Sequence, residues 1–492
     1  MKKITTLAAF ILSMLTAMGQ TMNIHIGQVT YCIPAEQAGE MVFQNGQTLT
    51  IGLKTYALSE ISSIGIDNSS VTDNTVAVAY SGNTAEVMIS GNLAPYLTAK
   101  VNGGHVSVVA SSNLAQEVTY TLSGTSDNGS FYMDGDHAIT LVLNGLNLIN
   151  PDSAAINIQD GKKINVQLAD GTANTLADGL TNVANDDSDG HKAAFYVEGH
   201  TSWSGSGHLT LKGNVKHAYS SDEYTLLNAG LGSITVSSAI SDGFHISQYF
   251  NMKGGTVCIV AAGDGIDVGK KKTDKENNGM MILEGGTLNV TTSGQSTKAL
   301  KCESDLVVIG GDIIATTSGD AVYEESEADL SSCAAAKCDG EMTMSGGTMT
   351  LTSTGAGGKG INAIGAITIN GGTLTVVTTG SVLEYGTLDS KPQAIKSDAN
   401  IILAGGTILS CASADKGSAF KTDFQVLTNG ATVMGIGGKA ITPATSSTHG
   451  YKKYTGIAVT GGQTLSYDGV TFTIPSNYSN SSAKVLVSSA SM

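Results

Sequence analysis

Aspartate, histidine and lysine recur in the second half of this chain at a spacing that stacks them. Short phrases of one form, HAYS, DGFHI, DGIDV, KALKC, DAVYE, KGINA, QAIKS and SAFKT, run from His217 to Thr422. Aligned on their apolar residue, they place His217, Asp242, Asp264, Lys298, Asp320, Lys359, Gln393 and Ser418 in one column. Three positions on, a second column reads Ser220, His245, Asp267, Lys301, Tyr323, Asn362, Lys396 and Lys421. Asp242 and Asp264 then lie one rung apart with Asp267 beside them, and carboxylates within about 5 to 7 Å repel unless a cation or proton intervenes. A hard, oxygen-preferring ion such as calcium would meet that need. Asp274, Asn277 and Asn278, in the insertion that follows, are placed to complete its shell. The alternative is a row of solvated bends, because Asp before Gly is common in turns for local reasons.

Farther along the same face lie Lys298, Lys301, Lys359, Lys396 and Lys421. Ammonium heads on a ladder would meet the carboxylates of a polyuronate as point charges. They alternate with Glu303, Asp398 and Asp423, so a self-compensating surface ladder stands beside that reading. Trp203, the one tryptophan, offers a second route to a sugar, since a pyranose packs its CH face on a ring. It serves equally well as the plug of an N-terminal turn of the repeat. No arginine is present, so proton abstraction from a polyuronate would fall to a lysine, with Lys298 beside the acidic trio as first suspect.

The elements that must position these residues are strands. Alternating apolar segments flank a glycine pair in MILEGGTLNV, LVVIGGDIIA, MTMSGGTMTL, ITINGGTLTV and IILAGGTILS, at intervals near 25 residues or longer by an insertion. A period of two marks a strand with one buried face. Equal registers in successive repeats let like side chains stack, with Leu283, Val308, Met344, Ile369 and Leu403 in one apolar column. The fold class expected is all-β: a right-handed parallel β-helix of three short strands per turn, glycine taking the tight bend. The glycine pairs lack the third glycine and regular Asp of calcium-binding nonapeptide repeats.

The ends read differently. Lys2 and Lys3 precede an apolar run from Leu7 to Ala17, a secretory signal peptide over 1–19 cut before Gln20. Residues 20–117 are strand-like without the glycine phrase and are expected as a small β domain. The helix should span 118–470, and 471–492 should cap its open edge. With 61 glycines, 6 prolines and 5% aromatic residues, the interior must be narrow. A net charge of −16 disfavours nucleic acid and anionic membranes as partners, and no later segment is long and apolar enough to span a bilayer. The expected location is secreted, extracellular or at the cell surface. Six cysteines suit an oxidising compartment, with Cys333 and Cys338 close enough to staple one loop, or to remain buried thiols.

Four stretches carry a family resemblance: YTLSGTSDNGSFYMDGDHAITLVLNGLNL, INVQLADGTANTLADG, AAFYVEGHTSWSGSGHLTLKGN and DGIDVGKKKTDKENNGMMILEGGT. In that order the chain, over roughly residues 118 to 490, resembles the bacterial carbohydrate-binding β-helix domain proteins, relatives in shape of pectate lyases. The resemblance implies binding of acidic or cellulosic plant polysaccharide and calcium held in the helix. The lysine-rich insertion GKKKTDKENN departs from what a cation site would show. The expectation is a non-catalytic polysaccharide-binding protein. A calcium-dependent lyase with a lysine base and a structural adhesin are the alternatives.

Overall fold

The computed structural model describes residues 19–179, 193–273, 276–414 and 416–492, so the expected signal peptide, but for Gly19, and Asp274 lie outside the described residues. The described chain is all-β apart from a four-residue helix, Ala35–Ala38, and one 3₁₀ turn, Gly91–Leu93. It divides into two compact units, Met1–Leu209 and Thr210–Met492.

In the second unit each repeat contributes three strands, and each strand pairs in parallel with its counterpart in the next repeat. The short strand before the glycines runs through Met281–Leu283, Leu306–Val308, Met342–Met344, Ile367–Ile369 and Ile401–Leu403. The longer one after them runs through Thr287–Thr292, Asp312–Thr317, Thr348–Ser353, Thr373–Thr378 and Thr407–Cys411. The period of two is the cause: Met281, Leu283, Leu306, Val308, Met342, Met344, Ile367, Ile369, Ile401 and Leu403 are all buried, and the residue between each pair is half-exposed. Every apolar column expected from the sequence is a buried column.

The glycine pair is required by close stacking as well as by the bend. Gly347 and Gly372 have φ of 76° and 83°. A Cβ on Gly347 would lie 2.6 Å from the Gly311 carbonyl oxygen, and one on Gly372 would lie 2.7 Å from that of Gly347. Positive φ and a carbonyl at that range together exclude other residues.

The last strand of the array does not end as an open edge. Thr432–Gly437 pairs antiparallel with Asn480–Ser488, which also pairs with Tyr451–Val459. Val459, Leu465, Ile474, Tyr478 and Val485 from this tail pack on Val377, Leu409 and Ile436. The covering segment thus starts at residue 451, ahead of the cap expected from 471.

In the first unit, Thr21–Ile26 and Val29–Pro34 form an antiparallel hairpin, as do Thr75–Ser81 and Thr84–Ser90. Parallel pairing begins early: Thr75–Ser81 pairs with Val118–Ser126, and Gly104–Ala110 with Gly129–Asp134. The expected boundary at 117/118 falls at the start of Val118–Ser126, a strand that pairs with Thr75–Ser81 ahead of it. Trp203, considered for sugar stacking, is instead buried. It is 1% exposed, its ring meets Phe195 edge-on with centroids 5.5 Å apart, and its Nε1 donates to Thr201 Oγ1 at 3.0 Å. A tryptophan buried in this way is a core plug and presents no face to a sugar.

Candidate functional site

The third strand of each repeat carries the chemistry. Phe244–Ile246, Ile266–Val268, Lys298–Cys302, Ala334–Cys338, Lys359–Ala363, Gln393–Ser397 and Ser418–Lys421 pair in parallel in that order. The expected columns hold up to Lys298 and Lys301 and then shift. Asp320 and Tyr323 are not in the ladder, because Val322–Glu324 and Asp329–Ser331 form an inserted antiparallel hairpin. Ala334 and Lys337 take those rungs instead. The first column thus continues Lys298, Ala334, Lys359, Gln393, and the second Lys301, Lys337, Asn362, Lys396, Lys421. The match of KALKC with AAAKC was the signal for this register; it aligns Cys302 with Cys338. Cys338 therefore faces Cys302 rather than Cys333, and the described cysteines are free thiols, not the local staple considered above.

The structure brings Asp242, Asp264 and Asp267 together, with cations of the protein's own between and beside them. Lys301 Nζ lies 3.2 Å from Asp264 Oδ2 and 3.2 Å from each Asp267 oxygen. His245 Nδ1 lies 3.2 Å from Asp242 Oδ2 and 3.5 Å from Asp267 Oδ2. His217 stacks on His245, centroids 4.5 Å apart, and its Nδ1 is 3.2 Å from both Asp242 Oδ2 and the Asp242 N–H. Backbone donors add to this: Asp264 N–H to Asp242 Oδ1 at 2.9 Å, and Lys298 N–H to Asp264 Oδ1 at 2.7 Å.

Burial alone would raise all three carboxyls. The neighbouring imidazoles of His217 and His245 outweigh it at Asp242, and the hydrogen bond of His245 with the charge of Lys301 outweighs it at Asp267, so both are held below the usual range. Asp264 is held above that range by burial, with Lys301 only partly offsetting it. Burial would lower His245, but Asp242 and Asp267 push it up to about 9. His217, more deeply buried, is lowered despite Asp242. The donor set does not fit calcium: the position between Asp264 and Asp267 is taken by an ammonium, and the Asp242 oxygen facing inward already meets two imidazoles.

A pH test follows. His245 has a raised folded pKa, so its contribution is complete below its unfolded value of about 6.5 and is lost as pH rises through about 9. The melting temperature of the parent should exceed that of His245→Asn most at about pH 6, and the gap should close by about pH 9.5. A gap independent of pH would show that His245 acts by packing alone.

Beyond the acids, four of the five expected lysines converge. Lys298, Lys301, Lys359 and Lys396 line one cleft of about 560 Å³ with Lys337 and Lys391, which the expected columns did not include, and six lysines there face four carboxylates, Glu324, Glu327, Asp329 and Asp389. Two inserted hairpins form its sides: Val322–Glu324 with Asp329–Ser331, and Leu383–Tyr385 with Leu388–Ser390. Tyr323 and Tyr385 stack between them, centroids 4.5 Å apart. Lys421 is outside the cleft and pairs with Asp423 on an exposed edge.

The cleft lysines are of two kinds. Lys301, Lys337, Lys391 and Lys396 each pair with a carboxylate. Lys298 and Lys359 do not. Lys298 Nζ donates to Ser296 O at 2.5 Å, Ser296 Oγ at 3.2 Å and Ser331 Oγ at 3.3 Å. Lys359 Nζ donates to Gly357 O at 2.7 Å, Lys391 O at 2.7 Å and Ser390 Oγ at 2.9 Å. Burial lowers both amines. At Lys359, 5% exposed and with Lys396 nearby, the value falls to about 7.

The family model described as carbohydrate-binding domain-containing protein matches residues 102–382, more than half of the chain. The chain belongs to that family. A relative with the same description, from Acetivibrio thermocellus, is 32% identical over 125 residues, covering 24% of this chain and 44% of the relative. The chain thus spans less than half of that family member. A solved structure titled as the polysaccharide lyase-like protein from C. thermocellum, a gadolinium derivative, is 21% identical. It covers 61% of this chain and 100% of that one at a TM-score of 0.41, and nothing about fold or function rests on it. The family match includes Lys298, Lys301, Lys337 and Lys359 and ends before Lys391 and Lys396.

Proposed function

We propose that this chain is an exported protein that binds acidic polysaccharide in the lysine-floored cleft and does not cut it. The observation that carries the reading is the pair Lys298 and Lys359. In a chain of net charge −16, two half-buried or buried amines face one cleft and hydrogen-bond only to neutral oxygens. An anionic ligand supplies the charge the fold withholds. The repeats of the second unit support a scaffold for this, a right-handed parallel β-helix, since parallel strands joined by crossovers are right-handed in nearly all proteins. Coils one strand spacing apart, about 4.8 Å, let contacts recur along an extended glycan, and each contact after the first is intramolecular.

Catalysis by these amines is disfavoured by their bonding. An elimination base needs a free lone pair aimed at the substrate proton, and each amine is surrounded by three acceptors. The test is electrophoresis of the full chain through polygalacturonate gels and pull-down on insoluble cellulose, each at low and high salt. Retardation by polygalacturonate is expected, weaker at high salt and reduced about tenfold or more in Lys298→Met/Lys359→Met. Because a bound anion favours the charged amine, retardation should also weaken as pH rises through about 7. Retention by neither matrix would overturn the sugar reading. Steady release of unsaturated oligosaccharides would make the protein a lyase.

A further inference from the structure

Lys298 and Lys359 are built alike. Each is preceded by two positions by a residue of positive φ, Ser296 at 58° and Gly357 at 71°, whose carbonyl turns back to accept from Nζ. Each amine also reaches the last residue of an inserted hairpin, Ser331 or Ser390. The serine hydroxyl accepts from the ammonium and gives its own proton to a second neutral oxygen, Ser390 to Gly357 O at 2.9 Å and Ser331 to Ser296 Oγ, whose proton goes to Glu324. Each station thus holds an ammonium met only by neutral oxygens, whose charge is left to be balanced from the cleft.

The two stations are not on neighbouring rungs. Ala334 lies between them, aligned with both, and Gln393 follows Lys359. Along the cleft the column therefore alternates a cation, a neutral residue, a cation and a neutral residue. The amines are two strand spacings apart, about 9.6 Å. A pyranose advances an extended chain by roughly one such spacing, so the stations fall on every second sugar. Gln393 Oε1 is buried and has no hydrogen-bond partner. An orphaned carbonyl oxygen on a neutral rung asks for a donor, and a sugar hydroxyl supplies one.

From this geometry we infer that the ligand is an acidic polysaccharide with one anionic group per disaccharide, the charged sugars on the Lys298–Ser331 and Lys359–Ser390 stations and a neutral sugar on Gln393. This rests on the proposed function and narrows it. The other cations lining the cleft do not disturb the alternation, because Lys301, Lys337, Lys391 and Lys396 are already paired with Asp264 and Asp267, Asp339, Asp389 and Asp398.

Calorimetry on the full chain with oligosaccharides of equal length tests it. The probes are hyaluronan, with a carboxylate on every second sugar, polygalacturonate, with one on every sugar, and neutral cello-oligosaccharides. Hyaluronan is expected to bind about tenfold tighter than polygalacturonate despite half the charge. Lys298→Met/Lys359→Met should remove most of that preference, since it leaves only carboxylate-paired lysines along the cleft. Gln393→Lys, which charges a neutral rung, should shift preference toward polygalacturonate. Should that variant fail to fold, the parent's ranking decides alone. Polygalacturonate binding as tightly as hyaluronan would overturn the alternation and leave the acidic-polysaccharide reading standing. Binding of cello-oligosaccharides as tight as that of either acid would overturn both, as would no binding at all.

Discussion

Ile369→Asp should lower the melting temperature by about 10 °C or more, while Thr368→Asp, one residue away, should move it by no more than about 2 °C. Ile369 is fully buried and stacks in register between Met344 and Leu403, whereas Thr368 is half-exposed on the other face of the same strand. A carboxylate at position 369 finds apolar neighbours on both adjoining rungs and no water, at a cost of several kcal/mol unless it takes up a proton. The pair of variants isolates register from general sensitivity, since a slip of one residue would exchange their effects. Thermal melts followed by circular dichroism provide the measurement, and equal losses in the two variants would show that the strand is not packed as described.

The columns were legible for a physical reason. A strand has a side-chain period of two and its neighbour repeats the register, so identity of position in the phrase becomes proximity in space. That is why Asp242, Asp264 and Asp267 meet, and why Lys298, Lys301, Lys359 and Lys396 share a cleft. What sequence could not give was whether DAVYE occupied a rung. It has the small-apolar phrase, but a hairpin excludes it from the ladder, and AAAKC with its aligned cysteine takes the place. Burial of Trp203 was illegible too, since the pattern around it fits a ring turned inward as well as one turned out. The cations facing the acidic trio were visible as residues and not as partners. Repulsion among three carboxylates pointed to a compensating charge. Column order could not say that Lys301, one rung beyond Asp267, would reach back to provide it.

The Lys301 ammonium stands between Asp264 and Asp267, where a metal ion was expected. Lys301→Met should lower the melting temperature by about 6 to 10 °C, because it removes the cation from Asp264 and Asp267 while both stay largely buried. The cost is about 2 to 3 kcal/mol, below that of breaking a fully buried pair, since part of the ammonium faces water. The variant should also acquire a response that is not expected of the parent. With Nζ gone, a cavity lined by carboxylate oxygens remains beside His245, and millimolar calcium should recover part of the lost melting temperature by binding the folded state alone. Adding Asp264→Asn to Lys301→Met should relieve some of the repulsion and abolish the calcium response together. Titration of calcium into chelated parent and variants, read by thermal melting, separates the cases. A parent that is itself stabilised by calcium would mean that the ammonium yields its position to the ion, and the compensation described between Lys301 and the acidic trio would then be only one of two states of the site.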